Sequence, residues 1–121
     1  MKKITIIEDE AALQDALKKA FSGEGYEITQ AFDGEEGISL VKSALPDLVL
    51  LDLVLPKKHG FEVLQEMKAD ETTKNIPVLV LTNLEESTEV MKAIELGARG
   101  YLIKANYALK EVIAKVKDII G

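Results

Sequence analysis

A chain of 121 residues, 47% of them hydrophobic, is long enough for one buried core and too short for two ordinary domains. Fifteen basic against twenty-one acidic residues leave a formal net charge of -6, which disfavours adhesion to nucleic acid and to anionic lipid. With no cysteine and His59 as its one histidine, the chain excludes disulfides, thiolate metal sites and multi-histidine zinc, and leaves hard, oxygen-ligated ions open.

Apolar stretches are short and soon broken by charge, with no basic segment ahead of a long apolar run. Neither a secretion signal nor a membrane span is expected, and a cytoplasmic location is.

Hydrophobic period alternates between strand and helix from end to end, with no internal repeat or low-complexity tract. The first strand is expected over Lys3 to Ile7. A helix from near Glu10 then buries Leu13, Leu17 and Phe21 and stops at the Gly23 to Gly25 turn, with Ala12, Ala16 and Ala20 beside that stripe. Tyr26 to Ala31 is the second strand. Asp33 followed by Glu36 signals the cap of a second helix, which buries Ile38, Leu40 and Val41 and cannot pass Pro46. The third strand, Leu48 to Leu51, leads to a helix from about Gly60 to Ala69, with Phe61, Leu64 and Met67 or neighbouring Val63 inward. A fourth strand over Val78 to Leu81 precedes a helix from about Glu85 to Leu96 that meets Gly97. The fifth, Gly100 to Ile103, precedes a helix from about Ala108 to Ile120 that buries Val112, Ile113, Val116, Ile119 and Ile120.

Strands this short and rich in Val, Ile and Leu suit a parallel sheet covered on both faces, joined by right-handed helical crossovers. The expected fold is an α/β, (βα)5 doubly wound domain over residues 1–121. Either doubly wound strand order gathers the functional loops at the carboxyl edge. At that edge would stand Glu8, Asp9 and Glu10 after the first strand, Asp52 after the third, Thr82 after the fourth and Lys104 after the fifth. Singly, each has a bland explanation: Asp52 caps a turn, the three acids complement a helix dipole, Thr82 caps a helix with Asn83, and Lys104 is a solvated charge. For Glu10 the dipole role is the whole expectation. Together, the four positions follow a regular order.

The chain resembles the receiver domain of two-component response regulators over essentially its full length. The motifs are Ile6-Ile7-Glu8-Asp9-Glu10, Leu51-Asp52-Leu53-Val54-Leu55-Pro56 with Gly60, Val80-Leu81-Thr82, and Gly97-Ala98 with Tyr101-Leu102-Ile103-Lys104. The resemblance implies the flavodoxin-like strand order 2-1-3-4-5. It also implies transfer of a phosphoryl group from a histidine kinase or histidine phosphotransfer protein to Asp52, the phosphoacceptor, and a downstream effector protein as reader. Mg2+ or Mn2+ would be held by Asp9, Asp52 and the Val54 carbonyl, with Glu8 acting through a water. Lys104 would be the counter-charge and Thr82 a hydroxyl donor to the phosphoryl oxygens. Thr82 and Tyr101 would form a switch that alters the surface of the fourth helix, fifth strand and fifth helix. The face carrying Ala12, Ala16 and Ala20 would dock the kinase.

On this reading the chain is a stand-alone signalling domain, a monomer or weak phosphorylation-dependent dimer, that catalyses only its own phosphorylation and dephosphorylation. No direct nucleic acid or membrane partner is expected. The rivals are a phosphorylation-independent interaction module and a small flavodoxin-like ligand-binding protein or phosphatase-like hydrolase. The intact site opposes the first, and the lack of a Gly-rich phosphate loop opposes a nucleotide or flavin site. Five positions depart from the family pattern: Ala105 where a proline usually follows the lysine, Asn83 after the threonine, His59 in the loop, and apolar Val54 and Leu84 flanking the path of hydrolytic water. The Lys104-Ala105 bond is expected to be trans, since a non-proline cis bond costs about 2.5 to 4 kcal/mol.

Overall fold

Five strand segments alternate with five helices: β1 (Lys3–Ile7), α1 (Ala11–Gly23), β2 (Glu27–Ala31), α2 (Gly34–Ala44), β3 (Leu48–Leu51), α3 (Gly60–Ala69), β4 (Val78–Thr82), α4 (Ser87–Glu95), β5 (Gly100–Ile103) and α5 (Leu109–Ile120). This arrangement comes from a computed structural model that describes residues 1–82, 87–104 and 108–121. The strands form one sheet, ordered β2-β1-β3-β4-β5, and every neighbouring pair is parallel. The flavodoxin-like order is therefore the observed one.

The two-residue period of the strands splits the core. Ile4, Ile6, Leu48, Leu50, Leu79 and Leu81 face one side, where Leu17 and Phe21 of α1 and Val112 and Val116 of α5 meet them. Ile7, Val49, Leu51, Val78 and Val80 face the other, against Ile38 and Val41 of α2 and Val63, Leu64 and Met67 of α3, with Ala93 of α4. All four residues of β3, the central strand, are buried. Each such side chain withdraws about 1.5 to 3 kcal/mol worth of apolar surface from water.

Caps hold the helices in place. Asp33 Oδ1 accepts from Glu36 N at 2.8 Å while Glu36 Oε1 accepts from Phe32 N at 2.7 Å, the reciprocal arrangement foreseen for α2. His59 sits at the N-cap of α3, where its Nδ1 accepts from Phe61 N at 3.0 Å. At the far end of α4, Gly97 adopts φ +107°, a conformation open to glycine without strain.

Several boundaries differ from expectation. Tyr26 lies just before β2, its ring edge-on to Phe21 at 5.7 Å. Thr82 belongs to β4, and Phe61 is only partly buried. Glu10 is not a first-turn acid: it is the extended N-cap residue of α1 and makes no side-chain cap bond, so the first turn carries no acid. Among the described residues no helix is long and apolar enough to cross a membrane.

Candidate functional site

Parallel register decides what meets at the carboxyl edge. Ile7 of β1 is level with Leu51 of β3, so the next residues, Glu8 and Asp52, leave the sheet side by side. Their backbones remain tied to it: Asp52 N donates to Ile7 O at 3.0 Å and Glu8 N to Ala31 O at 3.0 Å. Glu8 is 2% exposed and Asp52 5%, while Asp9 is open to solvent. One carboxylate oxygen from each of the three lies within 4.8 Å of the others.

Buried carboxylates this close require compensation. Lys104, just beyond β5, reaches past the end of β4 and places its ammonium 3.0 Å from Asp52 Oδ2 and in contact with Glu8 Oε1. The other oxygens find backbone donors, Asp52 Oδ1 from Val54 N at 3.3 Å and Glu8 Oε2 from Glu10 N at 3.1 Å. Burial pushes the Glu8 carboxyl up from 4.5 to about 7, because it outweighs the stabilising bonds from Lys104 and Glu10 N, and the Asp52 charge adds to the rise. For Lys104 burial works against the charge, but the two carboxylates prevail and hold its pKa above the ordinary lysine value.

The loop after β3 is shaped by a close approach. Gly60 N donates to Leu53 O at 2.7 Å, and a Cβ on Gly60 would lie 2.6 Å from Asp52 O. Only glycine admits that contact, which fixes the turn carrying Asp52 and Val54.

Of the remaining sequence-derived candidates, Thr82 is fully buried at the end of β4, level with Ile103 of β5, and so stands at the same edge. Val54, two residues beyond Asp52, is 56% exposed, and Tyr101 of β5 is 43% exposed. Ala12 is exposed on α1, and Ala16 and Ala20 are half-buried. Asn83, Leu84 and Ala105, and with Ala105 the expected trans bond, lie outside the described residues.

Two features escaped the sequence reading. The Lys104 ammonium serves Glu8 as well as Asp52. Gln14, 1% exposed on α1, donates from Nε2 to the carbonyls of Ile6, Glu8 and Ala31 at 3.0, 3.1 and 2.8 Å. Its signal was its spacing: positions 14, 17 and 21 form one helical face, and a polar residue there must find partners inside.

Three oxygen donors of this kind suit a hard divalent cation such as Mg2+ or Mn2+ and offer nothing to a soft metal. Residues 4–117 match the family model for the response regulator receiver domain. The chain belongs to the response regulator receiver family. This receiver is 38% identical over 120 residues to the DNA-binding dual master transcriptional regulator RpaA of Synechocystis, a match that covers 99% of this chain and 49% of that protein. It is 32% identical over 118 residues to the response regulator MprA of Mycolicibacterium vanbaalenii, covering 98% of this chain and 50% of MprA. The receiver thus spans about half the length of these relatives. Among solved structures, the Mn2+-bound form of response regulator Rcp1 superposes with a TM-score of 0.83 at 32% identity, covering 98% of this chain and 91% of that one. The chemotaxis protein CheY4 of Vibrio cholerae superposes at 0.92, covering 99% of both chains, and at 22% identity shares the fold.

Proposed function

We propose that this receiver accepts a phosphoryl group on Asp52 from a phosphohistidine of a kinase or phosphotransfer protein, and thereby changes the surface it offers to an effector protein. The observation that carries this reading is the meeting of Glu8, Asp9 and Asp52 with the ammonium of Lys104 at the carboxyl edge.

The chemistry follows from charge. An Asp52 oxygen attacks phosphorus as the phosphorus–nitrogen bond of the donor breaks, and the departing imidazole nitrogen retains the electron pair. A carboxylate approaching an anionic phosphoryl group meets repulsion, so positioning and charge compensation are what the protein must supply. A divalent cation held by Asp9, Asp52 and the Val54 carbonyl, with Glu8 through a water, would neutralise the charge gathering on the reacting oxygens. Lys104 leaves its pairing with Asp52 to hold a phosphoryl oxygen, and the Thr82 hydroxyl donates to another.

A switch follows from the same residues. Thr82 moving toward the phosphoryl group frees space for the exposed Tyr101 ring to turn inward, remodelling the surface of α4, β5 and α5. The alanine face of α1, beside the acidic pocket, docks the phosphodonor protein. The acidic chain suits protein partners better than nucleic acid, in the cytoplasm where such donors reside.

Intact mass after incubation with magnesium and a small acyl phosphate tests the assignment. One phosphoryl adduct is expected, lost on omitting the cation and in Asp52→Asn. An undiminished adduct in Asp52→Asn would move the acceptor elsewhere.

A further inference from the structure

Against the backbone from which Glu8 and Asp9 leave the sheet lies the buried carboxamide of Gln14. Where the β1–β2 ladder ends, three carbonyls, those of Ile6 and Ala31 near the ends of the two strands and of Glu8 just beyond β1, converge on Gln14 Nε2 at 3.0, 2.8 and 3.1 Å respectively. The amide has two N–H groups, so at least one is shared between carbonyls. Its orientation is unambiguous, since the oxygen in place of Nε2 would face three acceptors.

A second carboxamide fixes that orientation from the other side. Gln30 Nε2, on β2, donates to Gln14 Oε1 at 3.0 Å and to the Gln14 backbone carbonyl at 3.0 Å. The Glu8 peptide is thereby clamped at both polar groups: its N–H on Ala31 O, its carbonyl on Gln14, and Ala31 O itself on Gln14. The adjoining Asp9 departs from that carbonyl.

We infer that Gln14, oriented by Gln30, is a positioning residue for the divalent cation, acting through the Glu8 peptide to set the two acids that follow β1. The inference rests on the proposed metal-dependent phosphoacceptor role. Without the amide, the Glu8 carbonyl loses its tether and the Glu8–Asp9 turn can pivot away from Asp52. A partner that orients metal-binding groups from outside the coordination sphere costs roughly ten- to a hundredfold in affinity when removed.

The test is magnesium titration of the full chain, with urea unfolding in parallel. Gln14→Met keeps the volume and removes the donor; Gln30→Met leaves Gln14 in place but unoriented. Thr73→Val is the control, because Thr73 is fully buried and its hydroxyl bonds Met67 O at 2.8 Å, remote from the acidic edge. Magnesium affinity should fall roughly tenfold or more in Gln14→Met and by a smaller factor in Gln30→Met. Thr73→Val should lose stability with affinity unchanged, and phosphorylation of Gln14→Met should recover at saturating magnesium. If Gln14→Met does not fold, Gln30→Met decides alone. Wild-type affinity in the folded variants, or an equal loss in Thr73→Val, overturns the positioning role while leaving the phosphoacceptor reading intact. A wild-type chain that binds no magnesium overturns both.

Discussion

Lys104 and Asp52 are joined across a whole strand: the ammonium from just beyond β5 passes the end of β4 to lie 3.0 Å from Oδ2 of Asp52, the residue that follows β3. The same ammonium pairs with Glu8, so a protein cation already sits among the acids that would hold a metal. Lys104→Met should therefore separate two functions. Removing a unit charge a few ångströms from the carboxylates should tighten magnesium binding about tenfold, even with strong screening. Phosphorylation at saturating metal should slow by roughly a hundredfold or more, as expected for loss of a charge aimed at the reacting oxygens. Calorimetric titration and a phosphorylation time course measure the two, and weaker metal binding in the variant would contradict the competition.

The Glu8 carboxyl, raised by burial from 4.5 to about 7, gives a pH dependence of defined sign. The folded protein binds this proton more tightly than the unfolded chain, so its contribution to stability is full below about pH 4.5 and is lost as pH rises through 7. The span corresponds to roughly 3 kcal/mol at most, shared with the Lys104 pairing. Metal-free wild type should lose stability between pH 5 and 7.5 relative to Glu8→Gln, which has no such proton. Magnesium binding should run the other way, tightening toward neutrality as the carboxylate forms. A stability difference between the two proteins that does not change with pH would remove Glu8 from the titration.

Gly60 and Gly23 offer opposite outcomes from one substitution. A Cβ at Gly60 would lie 2.6 Å from both Asp52 O and Leu53 Cα, backbone atoms that cannot yield. Gly60→Ala should cost about 1 to 3 kcal/mol and weaken magnesium binding by shifting the Asp52 turn. At Gly23, the last residue of α1, nothing lies within 4 Å, and Gly23→Ala should be neutral or stabilising by up to about 1 kcal/mol. Urea unfolding distinguishes them.

Strands, helices and the carboxyl-edge residues were legible in the sequence because periodicity and register are local properties. Glu8, Asp9, Asp52, Thr82 and Lys104 needed only parallel strands of matching length to converge. The pairing of Lys104 with Glu8 was not legible, since it depends on how far a side chain from the edge strand reaches across two neighbours. Nor was Gln14, whose partners are carbonyls of β1 and β2 exposed only where the ladder stops. Glu10 misled for a related reason: an acid ahead of a helix looks like a dipole partner, yet here its amide donates to Glu8 and its side chain caps nothing.

Tyr101 is 43% exposed on β5, outward in the arrangement described. If phosphorylation turns it inward, the emission of Tyr101→Trp should shift to shorter wavelength on adding magnesium and an acyl phosphate, and should stay unchanged when Asp52→Asn is added. A shift that survives loss of Asp52 would detach this ring from the switch.

Lifetime of the phosphorylated form is the last expectation, and it rests on Val54. Its N–H donates to Asp52 Oδ1 at 3.3 Å and the residue is 56% exposed, so it stands at the solvent side of Asp52. An isopropyl group neither accepts nor donates a hydrogen bond, and a water approaching the phosphorus from that side finds nothing there to orient it. Self-dephosphorylation should be slow, and Val54→Asn should accelerate it by roughly tenfold by holding the water on the attack line. Decay is followed by intact mass in magnesium buffer after removal of the donor, with Val54→Ala as the control for steric opening. Equal rates in the asparagine and alanine variants would mean that access, not water orientation, governs hydrolysis at Asp52.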